Sequence, residues 1–215
     1  MKRININSQQ THFIGSWNLE NNKLCSEIIQ FFKNNKDLQT KGITASGKDL
    51  KVKSRTDISI SPNDLKNEKF EIFKQYINEL HKCYLDYQNQ WPFLKSKFES
   101  LDIGQFNVGE YVSGDHFAEL HTERASLFTL HRLFAWMTYL NDVDDGGQTC
   151  FSHYGIKINP ETGKTLIWPA EWTHANTGEI LKSGTKYIVT GYHQTIPFNS
   201  QDERHSLAFD LMPII

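Results

Sequence analysis

Residues 134–151 read Phe134-Ala-Trp-Met-Thr-Tyr-Leu140, then Asn141-Asp-Val-Asp-Asp-Gly-Gly147, then Gln148-Thr-Cys-Phe151. Two runs rich in aromatic and β-branched residues flank a turn-rich link, the pattern of paired strands rather than of a helix. Working outward, similar short runs recur at Gln105–Val112, Lys164–Trp168 and Tyr187–His193. Many short strands at close spacing predict antiparallel sheets in a sandwich or barrel. Toward the N-terminus the texture differs. Residues 20–35 place Leu24, Ile28, Phe31 and Phe32 on one helical face. Residues 36–61 are polar and predict a loop ending in a short edge segment at Thr56–Ile60. Ser61-Pro-Asn-Asp64 predicts a helix start, and Phe70, Phe73, Ile77, Leu80, Tyr84 and Tyr87 step by three and four until Trp91-Pro92. The expected class is α+β, helices first and strands after. Residues 1–100 would form a helical buttress with an edge strand in the same domain, 101–195 the β core and 196–215 a tail.

The chain has 215 residues, 38% hydrophobic and 22% charged, which suits one folded domain and excludes wholesale disorder. It carries no apolar run of the roughly 20 residues that a membrane span needs. The start, Met1-Lys-Arg-Ile-Asn-Ile-Asn, lacks the apolar stretch of a signal peptide, so the expectation is a soluble cytoplasmic protein with no membrane partner. Cys25, Cys83 and Cys150 are odd in number and far apart, which predicts reduced thiols. Charge is uneven: residues 1–99 hold 16 Lys/Arg and 11 Asp/Glu, and residues 100–215 hold 7 and 14. The basic part lacks an Arg cluster or an aromatic ladder, so a solvated lysine surface is expected rather than nucleic-acid binding.

Among nine histidines, the pair worth weighing is His121-Thr-Glu123. On an extended segment, residues i and i+2 point the same way. An imidazole and a carboxylate so placed can share one metal ion, and a third donor from a distant strand completes a facial triad for non-haem Fe(II). Alone, His-x-Glu is a weak signal.

Its surroundings make it specific. Tyr111-Val-Ser-Gly-Asp-His-Phe-Ala-Glu-Leu-His121-Thr-Glu123 is followed by Arg132 and by Tyr139-Leu-Asn-Asp142. Then come Gly146-Gly-Gln-Thr-Cys-Phe151, Ile158-Asn-Pro-Glu-Thr-Gly163 with Trp168-Pro169, Gly178, and Gly184-Thr-Lys186-Tyr-Ile-Val-Thr-Gly-Tyr192. In order and spacing this run resembles the prolyl 4-hydroxylase-like Fe(II)/2-oxoglutarate-dependent dioxygenases, over nearly half the chain. The resemblance implies a double-stranded β-helix, a jelly-roll or cupin-like barrel, buttressed by N-terminal helices. It implies Fe(II), 2-oxoglutarate and O2, with ascorbate as an accessory reductant, and a prolyl, other peptidyl or small-molecule substrate. By position, His121 and Glu123 would bind iron, Lys186 would pair with the distal carboxylate of 2-oxoglutarate, and Tyr139 would add a hydrogen bond to it. Thr149 would line that pocket and Tyr111 would sit near the metal end. The implied reaction converts 2-oxoglutarate and O2 to succinate and CO2 while hydroxylating a C–H bond.

One position departs from the family pattern. Its second iron histidine falls here at Asn176, ten residues before Lys186, and the nearby imidazole is His174. Three readings stay open. His174 binds iron, two residues away on the same strand face; Asn176 or a water completes a weaker site; or catalysis is lost and a binding module remains on the same scaffold. A different metal- or sugar-binding barrel, such as a cupin-like isomerase, is a further alternative. His131, His153 and His193 read as structural, His116 as able to reach substrate, and His205 as part of a polar tail. Residues 124–131 and the 36–61 loop are candidates for a substrate rim.

Overall fold

The computed structural model describes residues 1–6, 11–41, 53–98 and 101–195. In chain order these form β1 (Lys2–Arg3), β2 (Gly15–Asn18), α1 (Asn22–Asn34), β3 (Thr40–Lys41), β4 (Lys53–Ser54) and β5 (Thr56–Ile60). The helices α2 (Glu71–Gln90) and α3 (Pro92–Lys97) follow. Then come β6 (Asp102–Ile103), β7 (Phe106–Val112), β8 (His116–His121), β9 (Arg132–Tyr139), β10 (Thr149–Phe151) and β11 (Ile156–Ile158). The series closes with β12 (Lys164–Pro169), β13 (Asn176–Gly178) and β14 (Thr185–Gln194).

Among the described residues the strands make two antiparallel sheets. The larger runs β1-β2-β12-β9-β14-β7-β5-β3, with β6 paired to β14; the smaller runs β11-β10-β13-β8-β4. Strand β14 lies between β9 and β7, with Ile188 opposite both Tyr139 and Gly109. Strand β2 joins the large sheet beside β12, pairing Trp17 with Thr165, so the part of the chain expected to supply helices also supplies sheet. Pro92 ends α2 as expected but also opens α3, because its fixed φ suits a first helical turn.

Alternation along the strands gives the large sheet two unlike faces. One face holds Phe134, Trp136, Phe106, Val108, Ile58, Ile60, Ile167 and Val189, all buried beneath α1 and α2. Leu24, Ile28 and Phe32 of α1 and Phe73, Tyr76, Leu80, Tyr84 and Tyr87 of α2 meet them. Burying each such side chain contributes about 1.5–3 kcal/mol. Tyr76 Oη lies 2.8 Å from Thr138 Oγ1, which lies 2.7 Å from Thr165 Oγ1, a hydroxyl chain that satisfies the polar atoms under the helix. Asp86 of α2 accepts from Trp17 Nε1 and from Arg3 Nε, each at 2.8 Å. The opposite face looks toward the smaller sheet and carries Tyr111, Ala135, Met137, Tyr139, Leu166, Trp168 and Ile188, packed with Phe151, Ile156 and Ile158. No described helix is long and apolar enough to cross a membrane.

Candidate active site

Two polar clusters sit on the walls between the sheets. The first is at the end of β8. His121 Nδ1 lies 2.8 Å from the Glu119 carbonyl, and the ring stacks on Phe117 at 3.8 Å with 12° between planes. A carbonyl only accepts, so Nδ1 carries the proton and the Nε2 lone pair faces outward. That lone pair meets Glu123 Oε1 at 3.4 Å. The other carboxylate oxygen accepts from Tyr192 Oη at 3.0 Å, and the Arg132 guanidinium stacks 3.8 Å over the Tyr192 ring. Two acceptors facing each other call for a cation between them, a proton or a metal ion. Burial alone would depress His121 and raise Glu123; their mutual attraction wins, raising the imidazole and, with Tyr192 and Arg132, lowering the carboxyl.

Across the ladder, Asn176 is the register partner of His121. Asn176 is buried, and its Nδ2 donates to the His174 carbonyl at 3.3 Å. The structure thus brings His121, Glu123 and Asn176 to one place. His174 does not join them. It closes a 3₁₀ turn at Trp172–His174, and β13 starts only at Asn176, so the two-residue strand repeat expected to align positions 174 and 176 does not apply. Its Nε2 meets the His12 carbonyl at 2.8 Å, its Nδ1 meets Thr173 Oγ1 at 3.0 Å, and its ring lies 5.2 Å from that of Tyr154. Burial first, then the nearby His12 and His153, lower its pKa. Among the described residues no three His, Cys, Asp or Glu side chains converge as a metal site. The residues present offer one imidazole, one carboxylate and one amide, a set fit for a divalent metal at reduced strength.

The second cluster is cationic. Lys186 on β14 is opposite Tyr111 on β7, and its Nζ stands 4.1 Å over the Tyr111 ring and donates to the Gly147 carbonyl at 2.8 Å. Gly147 has φ +71°, and a Cβ there would crowd the Lys186 side chain at 3.2 Å. Tyr139 Oη and Thr149 Oγ1 lie 2.5 Å apart in the same buried region. Tyr111 Oη accepts from Arg55 Nη1 at 2.9 Å, and Arg55 pairs with Asp57 at 2.7 Å. Burial, and then Arg55, push Lys186 down to about 7. The expected residues Tyr111, Tyr139, Thr149 and Lys186 therefore share one wall.

Arg55 was hidden in the stretch read as a polar loop, and Asp57 in the short edge segment that ends it, and neither was singled out. The signal available was alternation: Arg55, Asp57 and Ser59 interleave with Ile58 and Ile60 as on a half-buried strand. They fit because β7 offers Gly109, where a Cβ would lie 3.0 Å from Asp57 Oδ1 and 3.3 Å from Arg55 Nε. Tyr192 and Phe117 were likewise not singled out. Of the other histidines, His193 stacks on Tyr84 at 4.5 Å on the helix-covered face, and His153 lies edge-on to Trp172 at 5.9 Å. His205 and residues 42–52 of the proposed rim lie outside the described residues. Next to the first cluster, Arg124 and Glu171 form an ion pair that ties the 124–131 loop to the 171–174 turn, where Phe128 is 88% and Trp172 68% exposed.

Comparison with solved structures shows which folds this architecture is similar to. The chain superposes on a viral collagen prolyl hydroxylase from Paramecium bursaria Chlorella virus-1, solved with 2-oxoglutarate, with TM-score 0.62 and 16% identity over 86% of this chain and 97% of that one. It superposes on a Pseudomonas putida prolyl-4-hydroxylase with TM-score 0.66 and 16% identity, covering 87% and 95%. A Trichoplax adhaerens prolyl hydroxylase, solved with a hypoxia-inducible-factor peptide fragment, gives TM-score 0.65 and 15% identity over 92% and 87%. In sequence, 76 residues are 32% identical to prolyl 4-hydroxylase subunit alpha-1 of Homo sapiens and of Mus musculus. That match spans 34% of this chain and 14% of those subunits. No protein-family model matches. The chain has the prolyl 4-hydroxylase fold.

Proposed function

We propose that this chain, folded as prolyl 4-hydroxylases are, is an Fe(II)- and 2-oxoglutarate-dependent oxygenase that hydroxylates a C–H bond of a peptidyl, including prolyl, or small-molecule substrate. The observation that carries the reading is the pairing of the two clusters: an acceptor pair suited to a cation, and a buried lysine amine suited to an anion. A keto acid with a second carboxylate meets both demands in one molecule.

His121 Nε2, Glu123 Oε1 and the Asn176 amide oxygen would hold the metal. Tyr192 and Arg132 keep Glu123 ionised and oriented, and the Glu119 carbonyl keeps the His121 lone pair on Nε2. Lys186 would hold the distal carboxylate, with the Tyr139–Thr149 hydroxyl pair beside it. Tyr111 receives its hydrogen bond from Arg55, so its own O–H proton is free to donate into the space between the clusters. When bound, the metal supplies the oxidation, in which O2 and 2-oxoglutarate become succinate and CO2 as the C–H bond is hydroxylated. The apolar walls, Met137, Leu166, Trp168 and Ile188 among them, exclude water from that chemistry. Phe128, Trp172 and their Arg124–Glu171 tie would receive the substrate.

Anaerobic titration with Fe(II) and 2-oxoglutarate tests the reading. A visible charge-transfer band, followed by succinate formation on admitting oxygen, is the expected result. A folded protein with no band would overturn it and leave a binding module on the same scaffold.

A further inference from the structure

Arg55 and Lys186 approach the same Tyr111 ring system from two strands. Arg55 touches its hydroxyl at 2.9 Å, and Lys186 stands 4.1 Å over its face. Arg55, Asp57, Tyr111 and Lys186 are each at most 5% exposed. The groups around the Tyr111–Lys186 pair can be named element by element: Arg55 between β4 and β5, Asp57 from β5, Tyr111 from β7, Tyr139 from β9, and Thr149 from β10. The loop after β9 adds the Gly147 carbonyl and the Leu181 side chain follows from the segment before β14, packed near Gly147. The carboxylate of this set, Asp57, is engaged by Arg55 at 2.7 Å. The hydroxyls of Tyr139 and Thr149 are engaged with each other. Lys186 thus meets a carbonyl and a ring face in a dry wall, with the Arg55 guanidinium on the hydroxyl of that same ring. A carbonyl and a ring do not offset the cost of a buried ammonium beside a second cation, so the empty pocket favours the free amine. The direction agrees with the depression of Lys186 to about 7 by burial and Arg55.

We propose that Arg55 and Lys186 form one anion receptor, and that a dicarboxylate binds there together with a proton taken up by the Lys186 amine. This rests on the reading of Lys186 as the anchor for the distal carboxylate. The arriving carboxylate supplies the negative charge that the wall lacks, the amine becomes an ammonium, and the proton comes from solvent. Arg55 is a positioning residue in this scheme. Its permanent charge adds to burial in lowering the Lys186 amine, and its hydrogen bond fixes Tyr111 under the amine.

Calorimetric titration of the Mn(II)-loaded protein with 2-oxoglutarate, in buffers of different ionisation enthalpy, reads the proton directly. At pH 8 the binding heat should depend on the buffer with a slope of about one proton, and at pH 6 the slope should fall near zero. The apparent affinity should weaken about tenfold between pH 8 and pH 9, because each unit removes tenfold of the proton being consumed. Lys186→Arg carries a charge that does not titrate, so it should bind with no proton uptake at pH 8. Binding whose heat is independent of buffer at pH 8 would overturn the coupling and leave the anchor standing. So would an affinity flat from pH 8 to pH 9, a readout that needs only the wild type. No binding heat from a folded protein removes the anchor itself, and the coupling with it.

Discussion

The two faces of the large sheet are made by the same strands and built on opposite terms. Under the helices the aromatic rings pack against one another, Tyr87 meeting Phe134 at 5.5 Å, Phe73 meeting Phe106 at 5.8 Å and Phe106 meeting Trp136 at 5.9 Å between centroids. Their polar atoms are mostly tied off inside the protein, as in the Tyr76–Thr138–Thr165 chain. On the other side, one residue along β7 and β14, Tyr111 and Lys186 bring polarity into a dry space beside Arg55, and Glu123 faces them from the end of β8 in the smaller sheet. The first face is closed by apolar packing, with Trp136 Nε1 and His193 Nδ1 buried without a hydrogen-bond partner among the described residues. The second has a buried lysine amine near a guanidinium and looks across at an imidazole facing a carboxylate, arrangements whose balance is restored by something from outside. Stability and binding are therefore expected to separate by face, although no residue is more than one peptide unit from the other function.

The largest effect that would break this division is on the helix-covered face. Trp136→Ala should cost about 3–5 kcal/mol in urea unfolding through loss of burial and a cavity, since Trp136 is fully buried and also fills the space over Gly191. Equal stability of this variant would mean that the helices are not held by that face. On the inner face, Lys186→Met should weaken 2-oxoglutarate binding about a hundredfold, some 2.7 kcal/mol, while leaving the urea midpoint unchanged or higher, because a buried amine is replaced by a thioether of similar shape. A large drop in midpoint would show that Lys186 serves the core. Asn176→His adds an imidazole opposite His121 and should tighten Fe(II) or Mn(II) binding about tenfold, read by metal titration. Unchanged affinity would place the third donor elsewhere. Smallest is Tyr76→Phe, expected to cost about 1 kcal/mol for the lost hydrogen bond to Thr138 while leaving metal and 2-oxoglutarate affinities as they are.

The same division governs what could be read from the sequence. The helix-covered face advertises itself through period: Leu24, Ile28 and Phe32, then Phe73, Leu80, Tyr84 and Tyr87, are spaced as a helix requires and are buried in the structure. Strands β7, β9, β10, β12 and β14 were legible from their β-branched and aromatic runs. Strand β8 was not, because His116-Phe-Ala-Glu-Leu-His121 is largely exposed and carries no clean alternation. Strands β2 and β13 are short and gain their identity from partners far along the chain. Lys186, Tyr139, Thr149 and Tyr111, which share one buried wall, were singled out through a resemblance of spacing, which local physics alone does not supply. Arg55 escaped because a buried guanidinium depends on Asp57, Gly109 and Tyr111 being there to receive it, and only Asp57 is near it in sequence. His174 misled because a strand repeat was extended across a 3₁₀ turn, where alternation does not operate.

The anion receptor draws on residues 55, 111, 147 and 186, and none of these lies near another along the chain. Loops that long are closed late in folding, after the local helices have formed. A half-folded chain, with α1 and α2 in place and β14 not yet inserted between β7 and β9, has no receptor at all. An anion that binds there therefore recognises the finished molecule alone, and shifts the balance between folded and unfolded chains in proportion to its concentration above its dissociation constant. Were the proposed dicarboxylate to bind there, its supply would set how much of the chain stays folded.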